Sequence, residues 1–207
     1  MALEIKDPEL AEMFAHGVYF HGHLCPAMPM GLRAGLIARK RLGVERAKSK
    51  ELMLLSETGT GHLMQCFLDG VMMATGCTYG KGNCQKLYYN KMAFVLIDVV
   101  EEKAVRVAVR AEFIKHALEH SPFMKKRQEG IPPEMIEPEI AEAAVNKVLT
   151  MPEEELFNIS DVYDYHYVYA QEGPPEFCTS CGEVVFGSKA RVKKGKIYCI
   201  PCSGYKD

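Results

Sequence analysis

No apolar run in the 207 residues approaches the roughly 18–20 needed to cross a bilayer, and the opening MALEIKDPELAE lacks the basic flank and apolar stretch of a secretory signal. A spanning protein is therefore not expected, and a cytoplasmic one is. Nor does charge of one sign dominate. Lys and Arg total 25 against 27 Asp and Glu, a formal charge of -2, so no global attraction draws the chain to nucleic acid or to an acidic membrane. Fixed-period repeats and long low-complexity tracts are also missing, which excludes repeat arrays and disordered tails. What remains is material for a packed core. Hydrophobic residues make up 48% and charged residues 25%, in a length that suits one ordinary domain with a small appendage.

Composition changes near Gln171, where QEGPPEF supplies a Gly-Pro-Pro breaker ahead of the first C-terminal cysteine. The expected division is 1–172 for a core domain and 173–207 for a small second one. In the core, Pro8 opens a helix to about Phe20, and a second helix runs from Gly31 to Leu42 after a CPAMPMG turn. Gly31 and Gly35, four apart, permit a close helix contact. ELMLLS reads as a buried strand, Thr60 as the cap of a helix over 61–75, and AFVLIDVV with KAVRVAVR as a hairpin. A charged helix spans about 111–128, Pro138 and Pro152 each open another, and the tyrosines at 163, 165, 167 and 169 alternate as on an extended strand. Strands and helices mix without strict βαβ alternation, so the expected class is α+β with a mixed sheet.

Eight cysteines in a chain expected in a reducing compartment point to metal ligands or reactive thiols rather than disulfides. Four of them form two C-x2-C pairs, Cys178 with Cys181 and Cys199 with Cys202, seventeen residues apart. Two such knuckles supply the tetrahedral sulfur cage that zinc prefers, with iron as the alternative occupant. The intervening β-prone segment suits a ribbon or treble-clef finger, and so short a module has too little apolar area to fold without its ion. From Cys178 onward six basic residues face two acidic ones, a local charge of +4. No row of aromatic side chains accompanies them, so a solvated face is the simpler reading and nucleic acid is not the expected partner.

The other four cysteines lie upstream. HGHLCP places His21, His23 and Cys25 at alternating positions, which an extended backbone would turn to one side, and His62, Cys66 and Asp69 share one face of the next helix. Cys77 and Cys84 flank the TYGKGN loop that carries Lys81. Single buried cysteines and histidines often serve only packing. Two donors beside a Gly and a Pro argue for a shaped site.

These segments, HGHLCPA from His21, CFLDG from Cys66, TGCTYGKGN from Thr75 and YNKMAF from Tyr89, resemble the FmdE family of formylmethanofuran dehydrogenase components over roughly residues 15 to 110. The resemblance implies an α+β core, often dimeric, whose His and Cys groups gather at a metal pocket, with a C-terminal treble-clef finger in many relatives. It carries over His21, His23, Cys25, Cys66 and Cys77 as core metal ligands, with Asp69 and Lys81 beside them. Ala27 and Asn90 stand where the family has Gly, and Cys84 where it has an aliphatic residue. A homodimer, association with a formylmethanofuran dehydrogenase-type complex and a link to one-carbon metabolism and methanogenesis follow as expectations.

The expected protein thus holds one ion, zinc, in the core and a structural zinc at Cys178, Cys181, Cys199 and Cys202. Cys25, Asp69 and Lys81 are the candidate catalytic groups if the core site turns over a substrate. Two other classes stay open: an adaptor whose finger docks onto a redox complex, and an electron carrier with an iron-sulfur cluster on Cys25, Cys66, Cys77 and Cys84. The HALEH segment, His116 to His120, formally matches a metalloprotease helix but lacks a third ligand downstream. Asp164 and His166 read as a polar pair on the tyrosine strand.

Overall fold

The computed structural model describes residue 3 and residues 5–205. The chain divides into two compact units, a first ending at Tyr167 and a second beginning at Val168.

In the first unit Asp7 caps α1 (Pro8–His21), its Oδ1 accepting from the amides of Glu9 and Leu10 at 3.0 and 3.3 Å. α2 (Ala27–Leu42) begins earlier than the sequence suggested, because the CPAMPMG segment is its first turn. Pro29 is tolerated there, since the first amides of a helix have no intrahelical acceptor to lose. β1 (Leu52–Ser56) follows, then α3 (His62–Thr75), whose cap is Gly61 rather than the side chain of Thr60. A 3-10 turn at Tyr79–Lys81 leads into β2 (Cys84–Lys86), and β3 (Ala93–Asp98) and β4 (Lys103–Val109) form the hairpin.

The charged stretch forms two helices, α4 (Ala111–His120) and α5 (Pro122–Gln128). Pro122 disfavours a helical residue before it, so Ser121 turns to φ -78°, ψ 123° and caps α5 instead. α6 (Pro138–Thr150), α7 (Glu153–Leu156) and β5 (Phe157–Ile159) complete the layer, and β6 covers Tyr163–Asp164 alone. The long tyrosine strand is absent because its partner ends: β6 pairs with Ala104 and Lys103, the first residues of β4, and the next amide, of Tyr165, bonds to the turn carbonyl of Glu102. Asp164 then pairs with Lys103, and His166 with Glu102, rather than with each other.

The sheet runs β2-β1-β3-β4-β5, with β6 also on β4. Only β1 and β2 are parallel, so the sheet is mixed and the class is α+β. Buried side chains of β1, β3 and β4 meet Met30, Ala34, Ile37 and Ala38 of α2 and Phe67 and Val71 of α3. A second cluster joins the other faces of α2 and α3 to α1, α5 and α6. The crossing of α2 and α3 is the centre of this arrangement. A Cβ on Gly31 would sit 1.9 Å from the Phe67 carbonyl oxygen, and one on Gly70 would sit 2.0 Å from that of Met28. Only glycine allows the backbones so close, and that closeness brings Cys66 to the start of α2.

In the second unit β7 (Pro175–Phe177) pairs with β8 (Val184–Phe186), β9 (Arg191–Lys193) pairs with β10 (Lys196–Tyr198), and α8 (Ile200–Ser203) follows. Knuckle, hairpin and short helix occur in the order of a treble clef. Among its described residues only Cys178 and Ser203 are buried.

Candidate metal centre

The upstream donors do not converge by strand alternation. His21 is the last residue of α1, and Gly22 behind it takes the left-handed conformation at φ 85°, which L side chains rarely adopt. That reversal folds His23 and Cys25 back beneath His21 before Pro26 starts α2. Cys66 and Asp69, one turn apart on α3, face them from the other side of the Gly31–Gly70 crossing.

Four donor atoms meet there. One from each of His21, His23, Cys25 and Cys66 lies within 4.8 Å of every other. His21 Nε2 is 3.2 Å from His23 Nε2 and 3.6 Å from Cys25 Sγ, and His23 Nε2 is 4.0 Å from Cys66 Sγ. Tetrahedral bonds of about 2.0–2.1 Å to nitrogen and about 2.3 Å to sulfur need donor separations of about 3.3–3.8 Å, so these residues fit a single ion.

Asp69 completes the arrangement without joining it. His21 Nδ1 donates to Asp69 Oδ2 at 2.8 Å, which fixes the ring and leaves Nε2 directed at the other donors. Without an ion, that carboxylate, aided by the Cys25 sulfur, pushes the His21 pKa up to about 9. The two thiols share one proton. A hydrogen bond from Cys66 holds Cys25 far below the usual thiol range, with His21 and His23 adding to it against burial, while the same contact and burial push Cys66 up. Replacing Asp69 with alanine is expected to weaken core metal affinity by about 10–100-fold through the freed imidazole. Competition with a chromophoric chelator measures it, and an unchanged constant would remove this role.

The structure does not bring Cys77 and Lys81 to the group. Cys77 follows the C-terminal end of α3, about 15 Å along the axis from Cys66 at 1.5 Å per residue. It lies with Cys84 in the sheet-side cluster, whereas Cys25 and Cys66 belong to the other. Burial pushes the Cys77 thiol up to about 11 and that of Cys84 up to about 12. Lys81 donates through Nζ to the Ala47 carbonyl at 2.9 Å. The four thiols therefore do not gather around one iron-sulfur cluster. On α4 the rings of His116 and His120 stack at 4.7 Å on the exposed face, and among the described residues no metal-ligating group forms there.

Two neighbours of the centre lie outside the ligand set expected from sequence. His62, one turn before Cys66, stacks on His23 at 5.5 Å, and burial, then the charge of Arg127, holds its pKa below the ordinary value. Its spacing from Cys66 and Asp69 is the local signal for that position. A cavity of about 170 Å³ also opens beside Cys25 and Cys66, walled by Leu63, Phe123, Met124 and Arg127. The residues from α5 carry no local mark of this, being some sixty positions away in the chain.

In the second unit the sulfurs of Cys178, Cys181, Cys199 and Cys202 likewise lie within 4.8 Å of one another, with Cys181 and Cys199 at 3.9 Å. Amides of Cys181 and then Cys199 bring the Cys178 thiol down to about 6, the environment a thiolate ligand needs.

Residues 20–158 match the family described as FmdE, Molybdenum formylmethanofuran dehydrogenase operon. The chain belongs to the FmdE family. A curated relative from Archaeoglobus fulgidus, called a probable S-adenosyl-L-methionine-binding protein, is 32% identical over 210 residues, covering 95% of this chain and 54% of the relative. The chain thus spans about half the length of that relative. In fold, this FmdE chain is similar to an FmdE-like protein of tungsten formylmethanofuran dehydrogenase type from Syntrophus aciditrophicus, with a TM-score of 0.60 at 20% identity over 99% of this chain and 97% of the other. Among the described residues no helix is long and apolar enough to cross a membrane.

Proposed function

We propose that this FmdE protein serves one-carbon metabolism as a two-zinc protein, with a ligand-accessible ion on His21, His23, Cys25 and Cys66 and a structural ion on the four C-terminal cysteines. The observation that carries it is the convergence of four donors at tetrahedral separations, with Asp69 behind His21 and a cavity in front of the two sulfurs. A zinc ion there supplies Lewis-acid polarisation of a ligand that reaches it. The chain's own residues do the rest. Asp69 holds the His21 Nδ1 proton, the sulfurs of Cys25 and Cys66 form one end of the cavity, and Leu63, Phe123 and Met124 keep water from its sides. The one-carbon assignment is supported by the family's description, and the family resemblance extends the proposal to a homodimer docking on a formylmethanofuran dehydrogenase-type complex, for which co-elution with that complex is the check.

The decisive measurement is metal content after anaerobic purification. Two zinc ions per chain in a colourless protein are expected. A single ion, or a coloured protein containing iron, would overturn the core assignment.

A further inference from the structure

The cavity beside the core donors has one guanidinium and no carboxylate on its walls. Cys25 and Cys66 close one end, Leu63, Phe123 and Met124 give apolar sides, and Arg127 reaches in from α5. Arg127 is half-buried, and its one hydrogen bond among the described residues runs from Nη1 to the Ile131 carbonyl at 2.5 Å. Other shielded arginines of this unit have a carboxylate partner: Arg39 meets Glu9 at 2.7 Å, and Arg106 meets Glu57 at 2.6 Å. Arg127 has none among the described residues. A guanidinium carries five N–H donors in a planar fork, and one partly removed from water beside apolar walls is stabilised by an anion that grips two of them.

We propose that this cavity binds a small organic anion, a short-chain carboxylate whose head pairs with Arg127 and whose carbon chain lies between Leu63, Phe123 and Met124 toward the Cys25 and Cys66 sulfurs. Size and lining select this class. A volume of about 170 Å³ is close to the roughly 150 Å³ of a cavity that accommodates one benzene ring, so about six non-hydrogen atoms fit. Bare phosphate would leave the apolar walls unused, and a cationic ligand would face Arg127 with like charge. The part of the inference in which the chain's far end meets the metal rests on the zinc reading above; the anion site itself does not.

Calorimetric titration of the intact chain with butyrate and with its neutral isostere butyramide tests the proposal without any variant. Butyrate is expected to bind at least about tenfold more tightly, the discrimination typical of a charge-assisted pair. Arg127→Gln should lose about tenfold in butyrate affinity and Arg127→Lys should keep part of it, with zinc content and thermal midpoint unchanged in both. Equal binding of butyrate and butyramide, or full butyrate affinity in Arg127→Gln, would overturn the site. Inorganic phosphate binding as tightly as butyrate would overturn the role of the apolar walls. Zinc analysis of the same samples keeps the two readings apart. Absence of core zinc with selective butyrate binding defeats the metal assignment alone, whereas two zinc ions with no butyrate selectivity defeat this inference alone.

Discussion

Replacing Cys66 with serine is expected to lower zinc from two ions per chain to one, while the same change at Cys77 leaves it at two. Both thiols are buried and both stand in motifs of the family resemblance, so the sequence does not separate them. Their positions on α3 do. Cys66 lies on the side facing His21, His23 and Cys25, and its sulfur is one of four donors that close around a point. Cys77 lies past the far end of the helix, in the sheet-side cluster. A serine hydroxyl at 66 stays neutral near pH 7 and is a poor substitute for a thiolate, so the core ion is lost and the C-terminal one remains. Mass-spectrometric zinc analysis of the two purified variants reads the difference. Equal zinc in both would show that Cys66 is not a ligand.

Hydrogen exchange on a Cys199→Ser variant is expected to show complete loss of amide protection across 175–203, with protection of β1, β3 and β4 unchanged. Two buried residues, Cys178 and Ser203, are all that the second unit's described residues keep from water, and its exposed side chains include Phe177, Val184 and Val192. Apolar burial on that scale does not offset the chain entropy of ordering some forty residues. The metal supplies what the core lacks, so losing one ligand melts the unit. The first unit has two hydrophobic clusters and does not depend on that ion. Retained protection over 175–203 would show that the unit folds by packing alone.

Strong local signals survived contact with the structure: Pro8 as a helix start, the β3–β4 hairpin, and the glycines at the α2–α3 crossing. The failures are physical as well. The helix read over 111–128 breaks at Ser121 because Pro122 acts on the residue before it. The tyrosine alternation produced two strand residues, since period-2 patterning does not supply a neighbouring strand, and β4 begins at Lys103.

For the candidate centre, spacing on one helix placed Cys66 and Asp69 on a common face, and the two C-x2-C pairs declared the C-terminal cage outright, because both signals act over a few residues of backbone. The grouping of His21, His23 and Cys25 was also legible, although for a different geometric reason than alternation. The sequence by itself determined which residue types are available for metal binding and how each short segment turns. Only the tertiary structure decided that Cys66 and not Cys77 meets the histidines, that Asp69 holds a ring in place, and that Arg127 from a helix some sixty positions away shares a cavity with Cys25 and Cys66. Those choices rest on how closely α2 and α3 pack and on which end of α3 faces α1, distances fixed by long-range contact and not by spacing along the chain.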